Sequence, residues 1–127
     1  MNNSRTVART KALQVLFAYE FHSEPNPIQV EGLVELTAED FTNQLISEYL
    51  VQKNKLDELI KKQLQNWDLN RINLVDRNIL RLGVLELILK TADRAVVINE
   101  YIEIAKLWGT EKSGGFVNGV LDSIVIS

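Results

Sequence analysis

With 127 residues, 46% of them hydrophobic, the chain can bury one core without metals or staples, and its lack of cysteine excludes a disulfide framework and a thiolate zinc site. No stretch approaches the roughly 18 uninterrupted apolar residues of a membrane span, and Asn2-Asn3-Ser4-Arg5 leads into no signal-peptide block, so one domain over residues 1–127 in the cytoplasm is expected. The net charge of −3 is unevenly spread: up to Tyr19 the only charges are Arg5, Arg9 and Lys11, whereas from Glu20 to Glu48 all are acidic, and screening makes the local pattern count for more than the sum.

Ser4 can cap a first helix in which Val7, Leu13, Leu16, Phe17 and Phe21 recur at helical spacing, leaving Arg5, Arg9 and Lys11 largely off the stripe and free to face water. Residues 22–36, with Pro25, Pro27 and Gly32, have no sustained period and read as the one long surface loop. Thr37 to Asp40 resembles a capping box before a second helix with Phe41, Leu45, Ile46 and Tyr49. Asn54 can cap a third, with Leu56, Leu59, Ile60, Leu64 and Trp67 on one face, so the pair is expected as a helical hairpin. From about Arg71 to Leu89 apolar residues surround the helix, which predicts a central position. Val96 to Trp108 suggests a helix closed by Gly109 in the left-handed conformation. Glu111 to Gly115 reads as a hinge before an amphipathic last helix with Phe116, Val117, Val120, Leu121 and Ile124, where Gly119 is expected to mark a close helix approach. The fold class predicted is all-α.

The inventory speaks against catalysis. His22 is the only histidine, there is no cysteine nucleophile, and Gly114-Gly115 lacks the lysine and preceding strand of a phosphate loop. Glu100 and Glu103 lack histidine partners and read as helix-dipole acids, so neither a metal nor another cofactor is expected. RNA binding asks only for cations against phosphates and aromatic faces for unpaired bases. Taken alone, three basic residues at a helix start are more often a solvated face, and Phe17 and Phe116 are more often core than stacking platforms; the pattern decides neither.

The run VINEYIEIAKLWGTEKSGGFVNGVLDSI, from Val97 to Ile124, resembles the signature of the NusB antitermination family. NWDLNRINLVDRNILRLGVLEL, from Asn66 to Leu87, is similar to that family's central segment, and ARTKALQVLFAYE, from Ala8 to Glu20, to its first helix. The resemblance implies a NusB-like fold of six or seven helices in two small bundles set across each other. It implies a non-enzymatic factor that, with the small-subunit ribosomal protein NusE, binds single-stranded boxA RNA in nascent ribosomal RNA and, with RNA polymerase and other Nus factors, suppresses Rho-dependent termination.

Carried over to this sequence, the resemblance offers Arg5 and Arg9, with Lys11 beside them, as RNA contacts, and Phe17 where family members often carry Tyr. Lys112, Ser113 and Phe116 fall in the segment beside that motif, Arg81 is a candidate for the same surface, and Asp76 and Arg77 match positions facing NusE. Arg5, Arg9 and Lys112 are expected to meet phosphates in a groove shared with the Phe116 ring. Thr6, Val7 and Thr10 interrupt what in many members is a denser arginine cluster, which implies a weaker intrinsic RNA affinity and more dependence on NusE. Two rival readings follow from the same residues: a protein-protein adaptor with little RNA contact, and the RNA-recognition part of a system that modifies ribosomal RNA. In the latter, 127 residues leave no room for a methyl-donor fold.

Overall fold

The helix expected at the centre is there, and the rest of the fold is organised by it. A computed structural model describes residues 4–21, 40–64 and 68–126. Among the described residues there are five α-helices, α1 (Ser4–Phe21), α2 (Asp40–Gln63), α3 (Leu74–Leu89), α4 (Arg94–Trp108) and α5 (Ser113–Ser123), with one 3-10 turn (Leu69–Arg71) before α3. α1 and α2 pack against each other and against α3, and so do α4 and α5, so α3 belongs to both small bundles.

α3 starts where Asn73 takes an extended backbone and its side-chain oxygen accepts the Asp76 N–H at 2.9 Å, supplying a partner that the first helical turn cannot. Asn78 to Leu87 is buried throughout, as an apolar circumference demands. The helix ends on Lys90 at φ 55, the one non-glycine residue with positive φ among those described. Gly83 allows α5 to close in, since a Cβ there would lie 2.8 Å from Leu121 Cδ1. That is the close approach expected at Gly119, whose Cβ position instead faces open space.

The expected hairpin between residues 41 and 67 is a single helix of 24 residues. Leu45, Tyr49, Leu56 and Ile60 are each fully buried and stay in one helical phase, because the seven residues from 49 to 56 make two turns. Asn54 is exposed in mid-helix, where its propensity cost of a few tenths of a kcal/mol is outweighed by the continuous buried stripe. The predicted six or seven helices are thereby one fewer in this region.

Two further corrections lie beside α5. Gly109 closes α4 at φ −97 and ψ −157, extended and not left-handed; glycine is required because a Cβ would fall 2.3 Å from Ser113 Oγ. Ser113, Gly114 and Gly115 form the first turn of α5 and are no hinge. The far end of α5 is held by Arg94, whose Nη2 donates to the Leu121, Asp122 and Ile124 carbonyls at 3.0, 2.9 and 2.7 Å, a cation placed where a helix dipole favours one. The proline-containing loop, His22, the Thr37–Glu39 part of the capping box and Trp67 lie outside the described residues.

Candidate nucleic-acid interface

The basic start of α1 divides into one exposed cation and one buried one. Arg5 is exposed; its guanidinium donates to the Thr91 carbonyl at 2.7 Å and lies 4.5 Å from the centre of the Phe41 ring. Arg9 is only 2% exposed. Its Nε and Nη2 donate to the two carboxylate oxygens of Glu86 at 2.7 and 2.9 Å, and its Nη1 donates to Glu100 at 3.0 Å. Glu86 is itself fully buried and also accepts from the hydroxyls of Thr91 and Tyr101. Burial works against the charge on Arg9, but the hydrogen bond and the fields of the carboxylates outweigh it and raise its pKa. Burial and the adjacent carboxylate push the Tyr101 phenol well above its ordinary range.

The expectation that Arg9 faces water is therefore corrected. The physical reason was in the spacing: position 9 lies four residues before Leu13 and seven before Leu16, on the same face of α1 as both. Glu100, read as a dipole-complementing acid, is the outer half of that buried pair. Lys11 is half-exposed and forms no ion pair with any of the described residues.

Arg81 is corrected in the same way. It is 5% exposed and forks onto Asp57, Nε to Oδ1 at 2.8 Å and Nη2 to Oδ2 at 3.1 Å, while Nη1 donates to Glu20. Arg77 lies 3.3 Å from the other Glu20 oxygen, so these two arginines tie α3 to α1 and Arg81 ties it to α2. Burial raises the Arg81 and Tyr49 problem together: it works against the guanidinium, whose pKa is nevertheless raised by Asp57, Tyr49 and Glu20, and it pushes the Tyr49 phenol up to about 12. The Tyr49 hydroxyl has no hydrogen-bond partner.

The remaining candidates gather at the N-terminal end of α3, where two cavities open. One, of about 270 Å³, is lined by Arg71, Ile72, Asn73, Asp76, Lys112 and Phe116. The Phe116 ring is half-buried, and neither Lys112 nor Arg71 forms an ion pair with any of the described residues. The second, of about 250 Å³, is lined by Leu13, Gln14, Phe17, Val75 and Trp108 and is almost wholly apolar. Beside it Trp108 is 48% and Leu107 80% exposed. Ser113 lines neither cavity: it is buried, and its hydroxyl accepts the Thr110 N–H at 2.8 Å, fixing the turn between α4 and α5.

This arrangement brings together Phe116, Lys112, Asp76 and Phe17 and separates them from Arg5 and Arg9. α1 runs antiparallel to α3, with Arg5 at Thr91, Arg9 at Glu86 and Phe17 beside Val75. At 1.5 Å per residue Arg5 lies about 18 Å along α1 from Phe17. The compact groove expected between Arg5, Arg9, Lys112 and Phe116 is not formed. Arg71 and Asn73 were not among the sequence candidates; the polar Asn70-Arg71 and Asn73 just before an apolar helix are the signal that marks them. Among the described residues no cluster of His, Cys, Asp or Glu suits a metal ion, and no helix is long and apolar enough to cross a membrane.

The geometry has clear relatives. The fold matches the NusB of T. maritima with a TM-score of 0.87 at 37% identity, over 96% of this chain and 90% of that one. It matches a crystal structure of the antitermination factors NusB and NusE in complex with dsRNA with a TM-score of 0.83 at 32% identity, over 97% and 96% of the two chains. Transcription antitermination protein NusB of Bacillus licheniformis is 45% identical over 94% of this chain and 95% of its own length, and that of Wolinella succinogenes 37% over 95% and 93%. Residues 6–125 match the NusB family, and the chain belongs to it.

Proposed function

We propose that this chain is a transcription antitermination factor of the cytoplasm that acts without catalysis, as a single domain, by holding single-stranded boxA RNA together with a NusE-type ribosomal protein. The observation that carries the RNA half is the cavity at the start of α3, where the cations Arg71 and Lys112, in no ion pair among the described residues, flank the half-buried ring of Phe116. Phosphates need the former and an unstacked base the latter. Lys11 adds a cation one helical turn before Gln14, and Arg5 one at the far end of α1, so the strand follows an extended path rather than a compact groove. The apolar opening of Leu13, Phe17, Val75 and Trp108, with exposed Leu107 beside it, has the aromatic and aliphatic character of a protein interface core and suits the NusE-type partner. Arg77, covered and tied to Glu20, serves that surface by fixing the first turns of α3 rather than by direct contact. Arg9, Arg81 and Ser113 hold the scaffold.

Binding of boxA RNA to the chain with its NusE-type partner, measured against salt, should fall with a log–log slope of about −2 to −3 for three or four phosphates. A flat response removes the phosphate contacts. Phe116→Ala should weaken RNA binding by about 1–3 kcal/mol. Unchanged RNA affinity with a lowered Tm would return Phe116 to the core. RNA binding that never exceeds that of the partner alone would favour the pure protein adaptor.

A further inference from the structure

At the opposite end of α3, the corner that leads into α4 holds a lysine in a conformation that lysine disfavours. Lys90, the C-cap of α3, has φ 55 and ψ 47, the left-handed region where a Cβ crowds the following carbonyl oxygen and glycine or asparagine is the usual choice. The corner requires that conformation. It lets the Lys90 N–H reach the Glu86 carbonyl, and it is followed by Thr91, whose hydroxyl donates to the Glu86 carboxylate and whose carbonyl accepts from Arg5 at 2.7 Å. The corner does not require the lysine side chain, which is exposed and forms no ion pair with any described residue. Complementing the helix dipole is the ordinary return for a cation there, and exposure to salt screens it. The nearby acids do not answer its charge: Glu86 and Glu100 hold Arg9, and Asp93, exposed at the start of α4, forms no ion pair with any described residue.

We infer that Lys90 joins Arg5 in holding a backbone phosphate of the bound RNA, as a second anchor at the far end of α1 from the Phe116 cavity. Arg5 is exposed, and its guanidinium is set in place by the Phe41 ring and by the Thr91 carbonyl. The Lys90 Cα lies about 3.8 Å from that of Thr91, so the two charges share one neighbourhood on the scale of the roughly 8 Å Debye length. A phosphodiester is the group that suits them, since guanidinium and ammonium are donors only and the strand's oxygens are acceptors. The Phe41 ring is occupied by the Arg5 and Arg9 guanidinium groups, so no base stacks on it and the contact is with the backbone of the strand. Two cations that meet no acid repel each other, and an anion between them removes that repulsion. Glycine is therefore the better residue for the free corner and lysine for the occupied one. The strand reaches this corner along α1, over the length of about 18 Å between Phe17 and Arg5.

This inference rests on the RNA-binding reading, and its test separates the two by setting stability against binding. Lys90→Gly and Lys90→Asn should each raise the urea midpoint of the chain, because both residues take a positive φ more readily than lysine does. In the complex with the NusE-type partner, the same variants should reduce the log–log salt slope of boxA RNA binding by about 0.7, the share of one phosphate on a single strand. Their loss of affinity should accordingly be roughly threefold greater at about 50 mM salt than at about 200 mM. Lys90→Arg, which keeps the charge, should restore the slope. Agreement between glycine and asparagine separates lost charge from a loosened corner, since only glycine adds much backbone freedom. An unaltered slope in both neutral variants, with RNA still bound by the unmodified complex, overturns the anchor and leaves RNA binding standing. A lowered midpoint in both shows that the lysine serves the fold, and a variant that loses the NusE-type partner assigns the residue to that interface; each overturns the anchor. An unmodified complex that binds no RNA overturns both readings.

Discussion

The two ends of the α1–α3 pair use similar residues to opposite effect. At the Arg9 end a cation meets Glu86 and Glu100 and is withdrawn from water. At the Phe17 and Phe116 end, Lys112 and Arg71 form no ion pair with any described residue and border an open cavity. The difference lies in what the facing helix supplies. Glu86 of α3 and Glu100 of α4 point a pair of acids at α1 where Arg9 arrives, whereas the one acid in the first turn of α3, Asp76, is buried against Asn73 and forms an ion pair with neither Lys112 nor Arg71. A cationic motif read along one helix thus says little about binding until the residues across from it are known.

That contrast is broken most directly at Arg9. Arg9→Met should destabilise the fold by about 3–5 kcal/mol, because it leaves Glu86 buried without its cation. The Thr91 and Tyr101 hydroxyls that still donate to Glu86 set the loss toward the lower end. Arg5→Ala, which removes an exposed side chain with a carbonyl contact and a contact to the Phe41 ring, should cost less, about 1–2 kcal/mol. Urea denaturation of the two variants decides the matter: equal midpoints would mean that the Arg9 pair carries no more stability than a surface contact.

Much of the fold was legible because helical periodicity reports burial directly. The apolar circumference of residues 78–87 placed α3 at the centre, and the positions 45, 49, 56 and 60 carried the phase of one long α2. The break expected at Asn54 came from reading a cap preference in isolation, where the unbroken phase on either side is the stronger signal. The site was less legible. Nothing in ALQVLF or ADRAVVINE states that Arg9 will meet Glu86 and Glu100, since those contacts span 77 and 91 residues. The close approach at Gly83 is likewise a property of Leu121 on another helix. Lys112 and Phe116 became candidates because they sit on a short segment whose family likeness is dense; Arg71 and Asn73, which line the same cavity, did not, because a capping asparagine and a turn arginine have ordinary local explanations.

At the open end the comparison is sharpened by charge removal without loss of fold. Lys112→Ala and Arg71→Ala should each reduce the steepness of the salt dependence of RNA binding by about 0.7, and together by about 1.4, if each cation meets one phosphate. Both side chains are exposed and in no ion pair among the described residues, so stability should stay within the range of ordinary surface changes, about 0.5 kcal/mol. A stabilised double variant with an unaltered slope would mean that these cations only repel each other and that the strand passes elsewhere.

The smallest effect concerns the second buried arginine. Tyr49 lies within the field of Arg81, Asp57 and Glu20, fully buried, with a hydroxyl that no group accepts or donates to. Tyr49→Phe removes that unsatisfied group at nearly constant shape, so at neutral pH it should be neutral or stabilising by up to about 1 kcal/mol. The alkaline limb gives the sharper reading. With its pKa pushed up to about 12 by burial, the folded protein keeps the Tyr49 proton after the unfolded chain, near 10, has lost it. Its contribution is therefore complete below about pH 10 and is lost as pH rises toward 12, at no more than about 1.4 kcal/mol per pH unit. Tyr49→Phe should flatten that fall in urea midpoints measured from about pH 9 to 12, leaving the part due to Tyr101, whose phenol is also raised. An unchanged alkaline slope would mean that Tyr49 ionises as freely in the fold as out of it, and that the cluster around Arg81 admits water where the Arg9 cluster excludes it.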